Sequence, residues 1–208
     1  MDDKKMIKFG INDVVGDSKP SSPYYKIYDL WRGIIKRCYS DNRSQKNMSY
    51  INTTICDEWE YYSNFKEWFQ NNYIEGYQLD KDIIGGDKNI YSPETCAFVP
   101  GLINSCVIDG NRGNNYVGVS YMSGDRHLKR YRPVISKFGK QVRNLGLYQT
   151  PEEAHRVWQQ EKINYLIEII EKYSSDVDRK VIDGIRRRID IIQYDLDNGF
   201  ITETISKI

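Results

Sequence analysis

Four stretches of the chain have the hydrophobic or capping patterns of an α-helix. The first stretch starts after Pro23, ends at Ser40-Asp41-Asn42, and repeats through Ile27, Leu30, Trp31, Ile34, Ile35 and Cys38. The second stretch is aromatic and consists of Trp59, Phe65, Trp68 and Phe69. Aromatic side chains at this spacing are typical of a buried helix face. The N-terminal half is therefore predicted to contain two core helices.

Two longer helices are predicted in the C-terminal part of the chain. The first starts at Thr150-Pro151-Glu152-Glu153, which has the form of a capping box, and extends past Trp158 to Tyr173. The second extends from Asp176 to Asp197 and is closed by Gly199. One of its faces carries Val177, Val181, Ile182, Ile185, Ile189, Ile192 and Leu196. Such a stripe packs on its own domain or forms the seam of a homodimer, and the sequence leaves both uses open.

Short strands are predicted between these pairs of helices. Thr53–Cys56 is β-like, and Tyr77–Ile84 and Ile90–Tyr91 flank a turn at Gly85–Asn89, as in a hairpin. Ser92-Pro93-Glu94 then supplies the N-cap and the first-turn proline of a helix. Strand, turn, strand and helix in this order predict a ββα unit.

Three further strands are predicted at Tyr116–Tyr121, Arg130–Lys137 and Gln141–Leu147, separated by two glycine-containing turns. The predicted fold class is thus α+β. A helical and ββα region comes first, followed by a three-stranded antiparallel sheet packed on a helix and by C-terminal helices. The corresponding division is a flexible arm over residues 1–20, a first domain over 21–108, a second over 112–165, and a helical extension over 166–208.

Charge is unevenly distributed along the chain, although the net charge of the 208 residues is only +1. Between Arg112 and Leu147 a single acid, Asp125, stands against the basic residues Arg112, Arg126, Lys129, Arg130, Arg132, Lys137, Lys140 and Arg143. Alternation along a strand places Arg130 and Arg132 on one face, with Lys129 at its entry. A basic sheet face is typical of phosphate contact, and the alternative is a solvated charged surface.

The same segment has an ordered motif. It reads Tyr-x-Gly-Val, then a strand with alternating arginines, then Leu-Gly-x-aromatic-x-Thr-x-Glu-Glu-Ala, over Tyr116–Tyr121, Tyr131–Ile135 and Leu145–Ala154. In this it resembles the Apetala-type (ethylene-response-factor) DNA-binding domain, whose three-stranded sheet packs on one helix and enters the major groove of DNA. The resemblance implies double-stranded DNA as the partner, with contacts from Ser120, Tyr121, Arg130, Arg132, Ser136 and Arg143. The charge pattern adds Lys129 and Lys140.

The N-terminal half has landmarks of a second family. In order, they are Trp31, Arg37-Cys38-Tyr39, Cys56-Asp57-Glu58-Trp59, Asn64-Phe65-x-x-Trp68, Leu79-Asp80-Lys81-Asp82 and Tyr91–Val99. Over residues 24–106 the chain resembles the phage HNH homing-type endonucleases, which often carry an Apetala-type domain behind the nuclease. The resemblance implies a metal-dependent DNA endonuclease.

The family match also implies roles for individual residues. Asp80 corresponds to the carboxylate ligand of one Mg²⁺ or Mn²⁺ ion, and Asn89 to the asparagine that braces the hairpin turn. Thr95 stands where relatives place a helix Asn or His ligand. Lys81 stands where they place the catalytic His, and Asp82 is an alternative base or second ligand. The substitution at Lys81 leaves a second function open, a DNA-binding regulator or antagonist whose nuclease half has become a scaffold.

Cysteine usage and hydropathy bear on the remaining predictions. The four cysteines form no C-x-x-C pair, so we expect either buried thiols or a structural zinc ion held by Cys38, Cys56 and Cys96. The mean hydropathy is −0.67, and no long apolar run is present. We therefore expect no membrane association and a cytoplasmic location, which is the host cytoplasm if the protein is phage-encoded.

Overall fold

The computed structural model of the protein describes residues 10–39, 52–85, 89–109, 116–123 and 130–206. These residues have a mixed α+β fold, with helices α1 (Tyr25–Tyr39), α2 (Tyr62–Asn72), α3 (Gly101–Cys106), α4 (Pro151–Tyr173) and α5 (Arg179–Asn198). The strands are β1 (Thr54–Ile55), β2 (Gln78–Asp80), β3 (Ile90–Tyr91), β4 (Ala97–Val99), β5 (Val119–Tyr121), β6 (Tyr131–Pro133), β7 (Ser136–Lys137) and β8 (Lys140–Gln141). Within the described ranges, no helix combines the length and apolar character needed to cross a membrane.

The described residues form two compact units. The first unit comprises those up to Glu75 together with those from Asn89 to Phe98. The second unit comprises Gly76–Gly85 and the described residues from Val99 onward. The acidic segment Asp80–Asp82 therefore shares its unit with the basic strands, whereas Asn89 and Thr95 belong to the first unit.

The core of the first unit is aromatic, as the sequence predicts. The indole nitrogen of Trp31 in α1 donates to the carbonyl oxygen of Trp59 at 2.8 Å, and the ring of Phe65 in α2 meets that of Trp59 edge-on at 5.0 Å. The predicted aromatic helix is split, because Trp59 lies in a 3₁₀ turn (Glu58–Glu60) before α2. β1 and β3 pair in parallel, an arrangement that the sequence did not predict.

The helix predicted to start at Ser92 is absent, because residues 92–95 form a turn. The Ser92 hydroxyl accepts the backbone N–H groups of Glu94 and Thr95 at 3.2 and 3.3 Å, so the capping chemistry is present for one turn only. The chain then extends into β4, whose three residues are all buried. Burial of three consecutive side chains favours a strand covered on both faces over a helix. The helix in this part of the sequence is α3, which starts at Gly101.

The second unit is built on α4 and α5, which pack together, with β5 and β6 packed on α4. The predicted capping box of α4 is confirmed, since Thr150 and Glu153 each cap the other's backbone N–H. α5 ends, as predicted, at Gly199 with φ of 71°. From the hydrophobic stripe of α5, the side chains buried within this unit are Val181, Ile182, Ile185 and Ile192. The stripe thus serves the unit's own core.

The basic strands are shorter than predicted. β5 and β6 pair antiparallel, and a single antiparallel bridge joins Tyr131 to Tyr148 where a third strand was expected. The long strand predicted over Arg130–Lys137 was wrong: it breaks after Pro133, which has no N–H to donate to a ladder. The strand predicted over Gln141–Leu147 was also wrong beyond Gln141, because the residues that follow include two left-handed conformations. β7 and β8 instead form a separate antiparallel pair.

Candidate functional site

The pairing of β5 with β6 determines which side chains form the exposed sheet face. Val119 lies opposite Pro133, and both are buried, whereas the adjacent pair is Ser120 opposite Arg132. Because successive side chains of a strand point to opposite faces, Ser120 and Arg132 share the face turned away from the core. Arg132 is exposed, so its guanidinium is presented to solvent.

A groove of about 690 Å³ lies beside this face. Two arginines, Arg132 and Arg143, line it together with the amides of Gln141 and Asn144, and Pro133 contributes an apolar wall. Among the described residues, neither arginine has a hydrogen-bond or ion-pair partner. Two positive charges therefore face the groove without an internal counter-charge, which is the electrostatic arrangement that attracts a phosphate or another anion.

Backbone conformation shapes the groove. Asn144 and Gly146 have φ of 67° and 89°, so the chain curves after Val142 instead of continuing as a strand. The Tyr148 hydroxyl donates to the carbonyl of Leu145 at 3.0 Å, and Tyr148 pairs through its backbone with Tyr131. The curved segment is thereby fixed to β6, which brings Arg143 to the same groove as Arg132.

The remaining predicted DNA contacts have different outcomes. Arg130 is exposed and donates to the Tyr121 hydroxyl at 2.8 Å, so these two side chains act as a pair. Ser136 and Lys140 are exposed on the β7–β8 hairpin. The prediction for Lys129 lies outside the described residues.

Lys137 does not contribute its charge to the basic surface predicted from the sequence. Its ammonium pairs with two carboxylates of α4, those of Glu161 at 3.1 Å and Glu168 at 3.0 Å. A lysine neutralised in this way contributes little to phosphate binding. Strand alternation could not reveal the pairing, because the two acids are more than twenty residues away in the sequence.

The acidic segment Asp80–Asp82 forms a tight turn at the end of β2. Oδ1 of Asp80 accepts the backbone N–H groups of Asp82 and Ile83 at 2.9 and 2.7 Å. Burial raises the pKa of the Asp80 carboxyl, and the neighbouring negative charge of Asp82 adds to that effect. The hydrogen bonds from Ile83 and Asp82 oppose the rise in pKa. Asp80 thus has a structural role in holding this turn.

The other charges around this turn are also engaged. Lys81 is buried, and its ammonium contacts Oδ1 of Asp82 at 2.5 Å. Arg188 of α5, only 1% exposed, donates to the carbonyl oxygens of Asp82 and Ile83, each at 2.9 Å. Sequence reasoning missed Arg188. The sequence feature that could have revealed it is the position of this arginine within the hydrophobic stripe of α5, three residues after Ile185 and four before Ile192.

These contacts do not fit a divalent cation at Asp80. An ion bound through Oδ1 of Asp80 would compete with two amide N–H groups, and one bound through Asp82 would compete with Lys81 for that carboxylate. It would also approach the positive charge of Arg188, which acts on the same carboxylate. Over the described ranges, no three His, Cys, Asp or Glu side chains gather in a group that could hold a metal ion. We therefore derive no catalytic step through Mg²⁺ or Mn²⁺.

Two predicted residues of the first unit have backbone roles. The Thr95 hydroxyl donates to the carbonyl of Ile90 at 2.8 Å and accepts the N–H of Ser92 at 3.1 Å, which braces the turn. The carbonyl of Asn89 accepts the N–H of Thr54 at 2.6 Å and extends the β1–β3 ladder. The Thr95 hydroxyl is thus committed to holding the chain's own backbone.

The cysteines and His155 are buried. Cys38, Cys56 and Cys96 form no disulfide, and burial raises the pKa of Cys56 to about 11, which keeps it protonated at neutral pH. Zinc requires thiolates, so a zinc ion would have to overcome this shift at Cys56.

His155 is fully buried: its Nδ1 lies 2.8 Å from the carbonyl of Val117, and its Nε2 accepts the N–H of Thr202. It therefore has no free nitrogen for a general base.

Comparison with protein-family models, with curated proteins and with solved structures finds no match to this chain.

Proposed function

We propose that the second unit binds duplex DNA through the sheet face and groove that Arg132 and Arg143 share. The observation that carries this proposal is the pair of exposed guanidinium groups without an internal partner among the described residues. Each arginine that meets a phosphate releases condensed counterions from the duplex, which favours binding. A guanidinium on an exposed strand can also donate two hydrogen bonds to the edge of a guanine.

The sheet geometry supports DNA over a small anion. Arg132 lies directly across from Ser120, and Arg130, which precedes β6, donates a hydrogen bond to the hydroxyl of Tyr121 at the end of β5. A two-stranded ribbon of this kind fits the major groove. We propose that the segment at Tyr148, joined to Tyr131 by a backbone bridge, completes the three-stranded sheet of an Apetala-type domain.

For residues 21–108 we propose an HNH-like scaffold without a working metal site. Asp80 holds backbone amides, Lys81 neutralises Asp82, and Thr95 braces a turn, so four of the five predicted catalytic side chains have another task. The protein would then act as a regulator or antagonist that occupies DNA without cutting it.

The binding proposal can be tested by fluorescence anisotropy with a labelled duplex and the full-length protein. We expect Arg132→Gln and Arg143→Gln each to weaken binding by about tenfold, which is the loss of one charged contact. Arg179→Gln is the matched control, since Arg179 is an 89% exposed cation on α5 outside the groove. Equal affinity of all three variants and the wild type would contradict the proposal.

The rival function is the metal-dependent endonuclease that the sequence resemblance implies. One observation favours it: Asp82 raises the pKa of Asp80 by its charge, so two carboxylates lie close together. Supercoiled plasmid incubated with the protein and Mn²⁺ or Mg²⁺ distinguishes the two functions. We expect no nicking by the wild type. Metal-dependent nicking that Asp80→Asn abolishes, with an unchanged circular dichroism spectrum, would establish the endonuclease instead.

A further inference from the structure

A cavity of about 300 Å³ lies in the second unit, apart from the groove used above. Its walls are formed by Val117 and Gly118 before β5, by Val134 after β6, and by Trp158 and Lys162 of α4. Ser105, at the exposed end of α3, also lines the cavity. The proposed DNA-binding function does not use this space.

Lys162 is the unusual residue of the cavity. It is only 6% exposed, and within the described residues its ammonium makes no hydrogen bond or ion pair. Its ring contact is with Tyr165, 5.9 Å from the ring centroid. A buried amine without a hydrogen-bond partner is costly for a folded protein, because its charged form loses water without gaining another ligand.

The groups that face Lys162 do not compensate for that loss. The titratable groups that act on it are Cys106 and Asp109, and burial raises the pKa of Cys106 to about 11, so only Asp109 carries a charge at neutral pH. Asp109 is committed to the C-terminal segment, since its carboxylate accepts the N–H of Ile205 at 2.7 Å and the hydroxyl of Ser206 at 2.8 Å. Burial is the dominant influence and lowers the pKa of Lys162, so more of this amine is neutral at neutral pH than of an exposed lysine.

We propose that Lys162 is a nucleophilic amine that captures small aldehydes with an apolar body as an imine inside this cavity. In this step Nζ forms a bond to the carbonyl carbon. The two amine hydrogens then leave with the carbonyl oxygen as water, and a C=N bond replaces the C=O bond. No oxidant or reductant takes part. A lysine desolvated in an apolar pocket is a recognised way of producing such a nucleophile.

The cavity walls define the class of ligand. Val117, Val134 and Trp158 provide apolar surface, and the volume is at the lower end of the range for small-molecule sites. A single aromatic ring or a short branched chain bearing an aldehyde suits such walls. This inference is independent of the proposed DNA binding and stands or falls separately from it.

Reductive trapping tests the inference on the full-length protein. Benzaldehyde serves as the probe at neutral pH, and sodium cyanoborohydride reduces any imine to a stable secondary amine, which peptide mass spectrometry locates. We expect Lys162 to be modified several-fold faster than exposed Lys172 of the same helix, because burial lowers the pKa of Lys162 and leaves more of its amine neutral.

Two variants keep the test decisive. Lys162→Met should abolish the fast modification. Ser105→Phe should slow the modification of Lys162 at least about tenfold, because it places a bulky ring at the edge of the cavity. Position 105 is exposed, so the larger side chain does not disturb the core. Modification of Lys162 no faster than that of Lys172 in the wild type would overturn the inference. Unchanged modification in Ser105→Phe would show that the aldehyde does not use this cavity, with the same consequence.

Discussion

Arg188 shows how a single residue can connect distant parts of one unit. Its guanidinium donates to the carbonyl oxygens of Asp82 and Ile83 in the acidic turn, of Gly184 in its own helix, and of Ile205 near the C-terminus. All four acceptors are backbone groups, so the arginine replaces the hydrogen bonds that water would otherwise make to them. The nearby carboxylates of Asp80 and Asp82 also favour its positive charge, so Arg188 stabilises the fold through both hydrogen bonds and charge.

We predict that Arg188→Met lowers the free energy of unfolding by about 2–5 kcal/mol, because it leaves buried carbonyl groups without donors. Because methionine fills a similar volume, the loss of stability comes mainly from the missing hydrogen bonds and not from a cavity. Urea denaturation followed by circular dichroism measures the change. Exposed Arg186→Met is the control and should stay within about 0.5 kcal/mol of the wild type. A loss of similar size in both variants would contradict this role.

His155 is a second residue whose burial has a measurable consequence. Its Nε2 must stay unprotonated to accept the N–H of Thr202, and burial lowers its pKa below the ordinary value of 6.5. The unfolded chain therefore binds a proton at a pH where the folded chain does not. The stability contributed by neutral His155 is complete above about pH 6.5 and is lost as the pH falls through the folded-state pKa.

We predict that the free energy of unfolding falls by up to about 1.4 kcal/mol per pH unit as the pH is lowered from 7 to 5. Substitution by Gln, whose amide can accept from Thr202 but does not titrate, should flatten this dependence. The His155→Gln variant and the wild type are compared by urea denaturation at each pH. Identical pH profiles would show that another group is responsible.

At the scale of elements, the close approach of β5 to α4 depends on Gly118. This residue precedes β5 with φ of 69°, and a Cβ added to it would collide with the indole ring of Trp158. Gly139 in the β7–β8 turn has a similar φ of 77°, but a Cβ there would meet no atom. Substituting Gly139 therefore measures the cost of the backbone conformation alone, whereas substituting Gly118 measures that cost together with the cost of a steric clash.

We predict that Gly139→Ala costs about 1 kcal/mol of stability, from the left-handed backbone alone. Gly118→Ala should cost at least about 1–3 kcal/mol more, since the added methyl displaces a ring 3% exposed in the core. Thermal and urea unfolding of the two variants give the comparison. Equal losses of stability in the two variants would mean that Trp158 moves aside at no energetic cost and that the packing of β5 on α4 is not tightly constrained.

The elements that local sequence determines were predicted well. α1, α4 and α5 lie where helical spacing places them, and the Thr150 capping box and Gly199 mark their helix ends in the structure. The parallel pairing of β1 with β3 was not predictable, because partners 36 residues apart leave no periodic signal. The break after Pro133 was indicated only by the proline itself, which weakens a ladder without showing where the chain goes next.

At the scale of the whole molecule, the net charge is near zero, but basic residues are concentrated in one part of the sequence. The structure shows which of these basic side chains are exposed and which are paired. The local charge pattern and the family resemblance identified Arg132 and Arg143 as candidates, and the groove that they share required the left-handed residues Asn144 and Gly146. Lys137 belonged to the same run of charge, and its pairing with α4 became apparent only in three dimensions. The predicted catalytic residues could be named from a motif, but the hydrogen bonds that occupy them could not.

The salt dependence of duplex binding tests the central claim most directly. The association constant of the full-length protein for a labelled duplex is measured by fluorescence anisotropy from low to physiological potassium chloride. We predict a linear fall of log K with log salt, with the slope reduced by about one in Arg132→Gln and in Arg143→Gln and unchanged in Arg179→Gln. An association constant that does not change with salt, or a slope that neither groove variant alters, would contradict DNA binding by this surface.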